Sequence, residues 1–212
     1  MRKVAIIGAG GHAKVLIDII EKSDDARLVG LIDRPENVGQ SVLGHKIIGA
    51  DQDIPALLKN GDVDALVIGV GDNAQRRRIY DAITAMAPEA PFTTALHPAA
   101  NIGLAVEIGA GSVVMAGATV NPNCQIGRHC VVNTNASLDH DSTLGDFAAL
   151  APNSATGGNV RIGRDALVGM GASIVQGLTV GDAATVGAGS VVLKDVAAQA
   201  TVVGSPAKAV AR

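Results

Sequence analysis

A six-residue beat starts at Asn101 and runs without a slip to Val196. Cut into sixes it reads NIGLAV, EIGAGS, VVMAGA, TVNPNC, QIGRHC, VVNTNA, SLDHDS, TLGDFA, ALAPNS, ATGGNV, RIGRDA, LVGMGA, SIVQGL, TVGDAA, TVGAGS, VVLKDV. The second place is aliphatic in fifteen of the sixteen hexads, Thr156 being the exception, and the sixth is always Ala, Ser, Cys, Val or Leu. The third place holds Gly nine times and Asn or Asp three times. These residue types tolerate positive φ, so the corners are expected there. An α-helix would carry such an aliphatic row around its cylinder, whereas short strands separated by corners keep it on one side. Each hexad should therefore form one flat side of a triangular coil, with residues i and i+18 stacked at about 4.8 Å. Sixteen hexads make five and a third coils, a prism roughly 25 Å tall that is stable only as a stack with covered ends. The tail from Ala197 to Arg212 is expected to cover one end and the preceding domain the other.

Composition fits such a core. Only Tyr80, Phe92 and Phe147 are aromatic, so the interior must be built from Val, Ile, Leu and Ala. A net charge of -3 gives no basic footprint for nucleic acid, and the longest basic run, Arg76 to Arg78, reads as the solvated face of a helix. No apolar run approaches the ~20 residues of a membrane span and no leader precedes the first strand, so a cytoplasmic protein without a membrane partner is expected. Cys124 and Cys130 both fall at sixth places, where they read as small buried fillers.

Residues 1–92 are organised differently. Lys3–Gly8 reads as a buried strand, His12–Lys22 as a helix, and Arg27–Ile32 as a second strand ending at Asp33. Lys46–Ile48 is a short strand, Asp53–Lys59 helical, Asp64–Val70 a strand, and Asn73–Ala87 a helix capped by Asp72 or Asn73. Alternating strands and helices predict a small Rossmann-like parallel α/β domain over 1–92, followed by the prism over 93–212. Between the first strand and helix stands Gly8-Ala9-Gly10-Gly11-His12-Ala13, a G-x-G-x-x-A turn, with Asp33 twenty residues beyond Ala13. Such a turn presents backbone N–H groups to a phosphate, and the acid can take a ribose hydroxyl. One mononucleotide half is too little for a dinucleotide, so a nucleotide or nucleotide-linked ligand is the better fit. A turn that merely lets the helix approach the sheet is the structural alternative.

Within the prism, Asp139-His140-Asp141 breaks the run of small and aliphatic residues. His140 follows the inward Leu138 and should point outward or along a corner. An imidazole beside a carboxylate is more basic, fixed in orientation and able to accept a proton near neutral pH. His129 has no acidic neighbours and is expected to face solvent. A zinc site needs three imidazoles or equivalents, and His129 and His140, eleven residues apart, do not stack in an eighteen-residue coil. No metal is expected.

The hexad run resembles the left-handed parallel β-helix of the hexapeptide acyltransferases. The whole chain resembles the sugar O-acyltransferase family that includes sialic acid O-acetyltransferases and the N-acetyltransferases of nucleotide-linked 4-amino sugars of the bacillosamine and perosamine type. The resemblance is carried by VAIIGAGGHAKVLIDII, the LID segment at Asp33, VIGVGDNAQRRRIYD, LHPAANIG, the DHD segment with TLGDF behind it, and GSPAK near the end. It implies a left-handed helix and a homotrimer with acetyl-CoA in the grooves between prisms. It also implies that His140 is the base, Asp141 its acidic neighbour, and Gly10, Gly11, His12, Asp33 and Arg34 the nucleotide-sugar region. Gly169, Met170, Gly187 and Ala188 are implied to line acetyl-CoA, with Lys194 and Lys208 candidates for its phosphates. Many members carry a histidine at the thioester where this chain has Ala149, so backbone N–H groups are expected to serve there. Transfer to the amine of a nucleotide-linked 4-amino-4,6-dideoxy sugar is the leading expectation. O-acetylation of a sugar such as sialic acid and a non-catalytic nucleotide-binding scaffold are the alternatives.

Overall fold

The computed structural model describes residues 1–210, which divide into two compact units, Met1–Pro98 and a second from Ala99 on. The first unit follows the order β1 (Arg2–Ile7), α1 (Gly11–Glu21), β2 (Ala26–Ile32), β3 (Ser41–Val42), β4 (His45–Gly49), α2 (Ile54–Lys59), β5 (Ala65–Ile68) and α3 (Asn73–Met86). Its sheet runs β3-β4-β2-β1-β5, parallel throughout except for the β3–β4 hairpin at the edge. Val4 to Ile7 and Ala65 to Ile68 are buried without alternation, as strands covered on both faces must be. Helix α1 buries Ala13, Leu16, Ile17, Ile19 and Ile20 on one stripe, and α3 is capped by Asp72, whose side chain accepts from Gln75 N–H at 2.7 Å. Phe92 stays with this unit: it bridges Leu66 and its ring lies 5.4 Å from Tyr80.

Of the basic run in α3, Arg78 is exposed and Arg77 half-buried, but Arg76 does not belong to a solvated face. Arg76 is 1 % exposed, and its guanidinium donates to the carbonyls of Val70 and Gly71 at 3.2 and 2.9 Å and to Asn73 Oδ1 at 2.8 Å. Nη1 thus holds the two carbonyls just beyond β5 while Nη2 ties them to Asn73 at the start of α3, a planar group serving three acceptors at once.

In the second unit each hexad contributes one two-residue strand, and every strand pairs in parallel with the one eighteen residues away, as in Asn101↔Thr119↔Ser137 and Gln125↔Thr143↔Arg161. Three sheets result, and the second-place side chains from Val114 to Val192 form the buried column. Thr156, the one polar second-place residue, is also buried, its hydroxyl accepting from Asp139 N–H at 3.1 Å. Both cysteines are buried and neither is in a disulfide among the described residues, as sixth-place fillers should be. At the far end Thr201–Val203 pairs with Thr185–Val186, and Lys208–Ala209 folds back antiparallel on it.

The corners differ from expectation. Positive φ falls on the fifth place of every hexad from Ala105 to Gly189, with Asn123 at 62°, His129 at 54°, Asp141 at 59° and Phe147 at 61° among them. Third-place glycines are needed for a different reason. A Cβ on Gly145 would stand 2.7 Å from the backbone nitrogen of Arg164, and one on Gly109 2.6 Å from Gly127 carbonyl carbon. They let successive coils stack at strand spacing; the left-handed bend lies two residues further on.

His129 is likewise corrected: it is 1 % exposed, not solvent-facing. Its ring stacks on Phe147, one coil on, with centroids 5.0 Å apart and planes 14° off parallel, and occupies the space left by the missing side chain of Gly111 one coil back.

Candidate active site

In the first unit a cavity of about 400 Å³ opens at the carboxyl ends of β1, β2 and β5. Strand β1 pairs with β2 on one side and β5 on the other, so the chain reverses its direction of travel across the sheet there, the switch point where α/β sheets hold ligands. The walls include all five residues singled out from the sequence: Gly10, Gly11, His12, Asp33 and Arg34. Gly10 precedes α1 with no side-chain cap, which leaves the first-turn N–H groups directed at the cavity end of the helix. Asp51, Gly69, Val70, Gln75 and Ile79 also line the cavity, and the sequence reading did not include them. Burial raises the Asp51 carboxyl above its ordinary range, and the neighbouring charge of Asp33 adds to the effect. His12 is pushed down to about 4, first by burial and then by the Arg76 charge, and its Nε2 has no hydrogen-bond partner and is closed off from water. The ring is therefore neutral at physiological pH.

In the second unit the Asp-His-Asp segment occupies a corner. His140 Nδ1 lies 2.7 Å from Asp141 Oδ2, and because an ionised carboxylate only accepts, Nδ1 carries the hydrogen and Nε2 is left with its lone pair. Asp141 Oδ1 accepts from Asn123 Nδ2 at 2.7 Å, while Asp139 Oδ1 accepts from Asn121 Nδ2 at 2.6 Å and from the His140 backbone N–H at 2.8 Å. The bond to Asp141 raises the His140 pKa, with the Asp139 and Asp141 charges acting in the same direction. Asn123 first, then His140, hold Asp141 below its ordinary value. In the single chain the imidazole is 54 % exposed. The two asparagines lie one coil before their carboxylates, a relation the eighteen-residue register could have revealed.

The residues expected around acetyl-CoA fall on adjacent coils. Gly169 N–H donates to Val186 carbonyl at 2.7 Å, and a Cβ on Gly169 would meet the Ala188 nitrogen at 2.7 Å, so Gly169 stacks directly on Gly187 and Ala188. Met170, beside them, is 58 % exposed. Ala149 is buried in the strand Ala149–Leu150, between Val131 and Leu167. Among the described residues no group of three His, Cys, Asp or Glu is arranged to hold a metal, and no helix is long and apolar enough to cross a membrane.

A switch-point cavity beside an α/β sheet, joined in one chain to a hexad prism bearing a braced imidazole, defines the class of two-domain hexapeptide-repeat acyltransferases. Comparison with known proteins agrees. Residues 3–83 match the PglD N-terminal domain family, and residues 105–140 the bacterial transferase hexapeptide (six repeats) family. PerB from Caulobacter crescentus, solved in complex with CoA and GDP-perosamine, is 34% identical over 100% of this chain and 98% of that chain, with a TM-score of 0.91. The acetyltransferase domain of PglB from Neisseria gonorrhoeae FA1090 is 34% identical over 99% of this chain and 100% of that chain, with a TM-score of 0.89. The UDP-N-acetylbacillosamine N-acetyltransferase of Bacillus subtilis (strain 168) is 32% identical over 113 residues, 52% of this chain; the match spans 50% of that curated relative. The chain belongs to the sugar N-acetyltransferase family of hexapeptide-repeat proteins with a PglD N-terminal domain.

Proposed function

We propose that the protein transfers acetyl from acetyl-CoA to the amino group of a nucleotide-linked 4-amino-4,6-dideoxy sugar, acting as a cytoplasmic homotrimer. The observation that carries this reading is the 2.7 Å bond between His140 Nδ1 and Asp141 Oδ2, which leaves Nε2 as the proton acceptor. The first-unit cavity holds the nucleotide: its diphosphate lies at Gly10 and Gly11, its ribose at Asp33, with Arg34 and His12 beside it. A neighbouring prism closes over the half-exposed His140, and acetyl-CoA runs along Gly169, Met170, Gly187 and Ala188.

Chemically, the amine lone pair attacks the thioester carbonyl, forming the N–C bond. His140 Nε2 takes the amine proton, backbone N–H groups hold the oxyanion, and the C–S bond breaks as the tetrahedral intermediate collapses. The imidazolium then returns its proton to the departing CoA thiolate, so neither covalent acetyl-enzyme nor metal is required. With Ala149 in place of an imidazole, the thioester is oriented by main-chain donors alone. Purified protein incubated with acetyl-CoA and, separately, UDP- and GDP-linked 4-amino sugars and free sialic acid tests the reading. Release of CoA thiol with a 4-amino sugar and not with sialic acid supports it; thiol release with sialic acid alone overturns it in favour of O-acetylation.

A further inference from the structure

Fifth-place asparagines at this prism's corners have a plain backbone explanation, since asparagine tolerates left-handed φ. Asn135, Asn153 and Asn159 fit it: each has φ between 56° and 58°, and among the described residues none donates a side-chain hydrogen bond to a carboxylate. Asn123 does more. It stands one coil before Asp141, both residues are left-handed, and their side chains leave the corner in register, so the Asn123 amide reaches Asp141 Oδ1 at 2.7 Å.

That bond matters because the dyad lies half exposed at the surface. The Asp141 and His140 side chains are 44 % and 54 % exposed. A carboxylate bonded only through Oδ2 can turn about Cβ–Cγ and trade the imidazole for water. With Oδ1 tied to Asn123, turning breaks two bonds. We propose that Asn123 is a positioning residue for acetyl transfer, acting through Asp141 to keep the His140 ring in place as the Nδ1–H tautomer with Nε2 open to the acceptor amine. The inference rests on the reading of His140 as the base. The charged groups facing the ring are Asp139 and Asp141, and Asp139 keeps its own tie to Asn121 when Asn123 is changed.

The discriminating variant is Asn123→Gly, because glycine serves the left-handed corner at least as well and lacks only the amide. With acetyl-CoA and the UDP- and GDP-linked 4-amino sugars as substrates, kcat should fall about tenfold, short of the 10²- to 10⁴-fold that loss of the base itself costs. KM for both substrates should stay within about twofold, marking an interaction that acts at the chemical step. The acid limb of kcat/KM should move to lower pH, towards an ordinary histidine. Independently of turnover, ¹⁵N spectra of the histidine rings should show His140 as the Nδ1–H tautomer in the parent protein and as a tautomer mixture in Asn123→Gly. A purely structural Asn123 moves neither the limb nor the tautomer. If Asn123→Gly keeps full kcat and the parent tautomer while His140→Ala loses activity, the positioning role is overturned and the base stands. If His140→Ala is also fully active, or the parent protein acetylates none of the sugars, the base reading falls and this inference with it.

Discussion

The His140 imidazole lies against Gly158, eighteen residues further along the chain, and only a hydrogen at that Cα leaves room for it. A Cβ on Gly158 would stand 2.5 Å from both Cε1 and Nε2 of the ring. The backbone of Gly158 is not in the left-handed region, so alanine is allowed there on conformational grounds. Gly158→Ala should therefore fold normally and displace the imidazole, breaking its bond to Asp141. Acetyl transfer should fall at least tenfold, with thermal stability changed by less than about 1 kcal/mol. Full activity in this variant would show that the ring position in the free chain is not the one used in catalysis.

Removing the proposed base is the direct companion experiment. A positioned general base contributes ~10²- to 10⁴-fold, so His140→Asn and His140→Ala should lower kcat by about that range with KM little changed. A loss below about threefold would mean that the amine attacks unaided and that positioning supplies the rate.

The pH dependence has a defined sign. On the proposed mechanism His140 acts as a base only when neutral, and its pKa is raised by the Asp141 bond and the flanking carboxylates. The acid limb of kcat/KM should consequently lie above the unperturbed histidine value of about 6.5, activity being lost as pH falls through it. Asp141→Asn removes the charge and the strongest acceptor, so the limb should move down. A limb that stays put in Asp141→Asn would assign it to another group.

How far the chain could be read from its sequence depends on which geometry each residue type reports. The eighteen-residue register was legible because one aliphatic row every six residues allows no other compact stacking, and the cavity residues Gly10 to His12 and Asp33 followed from a turn between a strand and a helix. Glycine misled because it answers two needs, positive φ and close approach, and only the coil geometry assigns Gly145 to the second. For His129 the absence of acidic chain neighbours points to solvent, whereas Gly111 and Phe147, one coil either side, are what bury it. The burial of Arg76 is hard to read because two of its three acceptors are main-chain carbonyls, which leave no mark in a sequence.

The two kinds of prism glycine make a stability prediction. Gly145→Ala would drive a Cβ into the next coil's backbone, which cannot turn aside, and should cost about 3 kcal/mol or more. Gly177 has φ +76° with nothing within 4 Å of where a Cβ would stand, so Gly177→Ala should cost only about 1–2 kcal/mol of left-handed strain. Denaturant midpoints of the two variants should differ in that order; equal midpoints would contradict the division between third and fifth places.

His12 gives a prediction that separates folding from catalysis. Its folded pKa, lowered to about 4, lies below the unfolded value of about 6.5, so between these limits the unfolded chain binds more protons than the folded one. Stability should therefore rise with pH across that window, reach its full value above about 6.5, and be lost progressively as pH falls towards 4. The full difference for this one ring is at most about 3 kcal/mol. The comparison is between the parent protein and His12→Asn, measured by urea unfolding at successive pH values. The slope between pH 4.5 and 6.5, a range set by those two pKa values, should be shallower in the variant. Histidine NMR should agree, with the His12 signal unchanged from about pH 8 down to pH 5 while His140 titrates above its ordinary value. A His12 signal that titrates near 6.5 would mean that the ring is hydrated, and the neutral wall of the first-unit cavity would have to be abandoned.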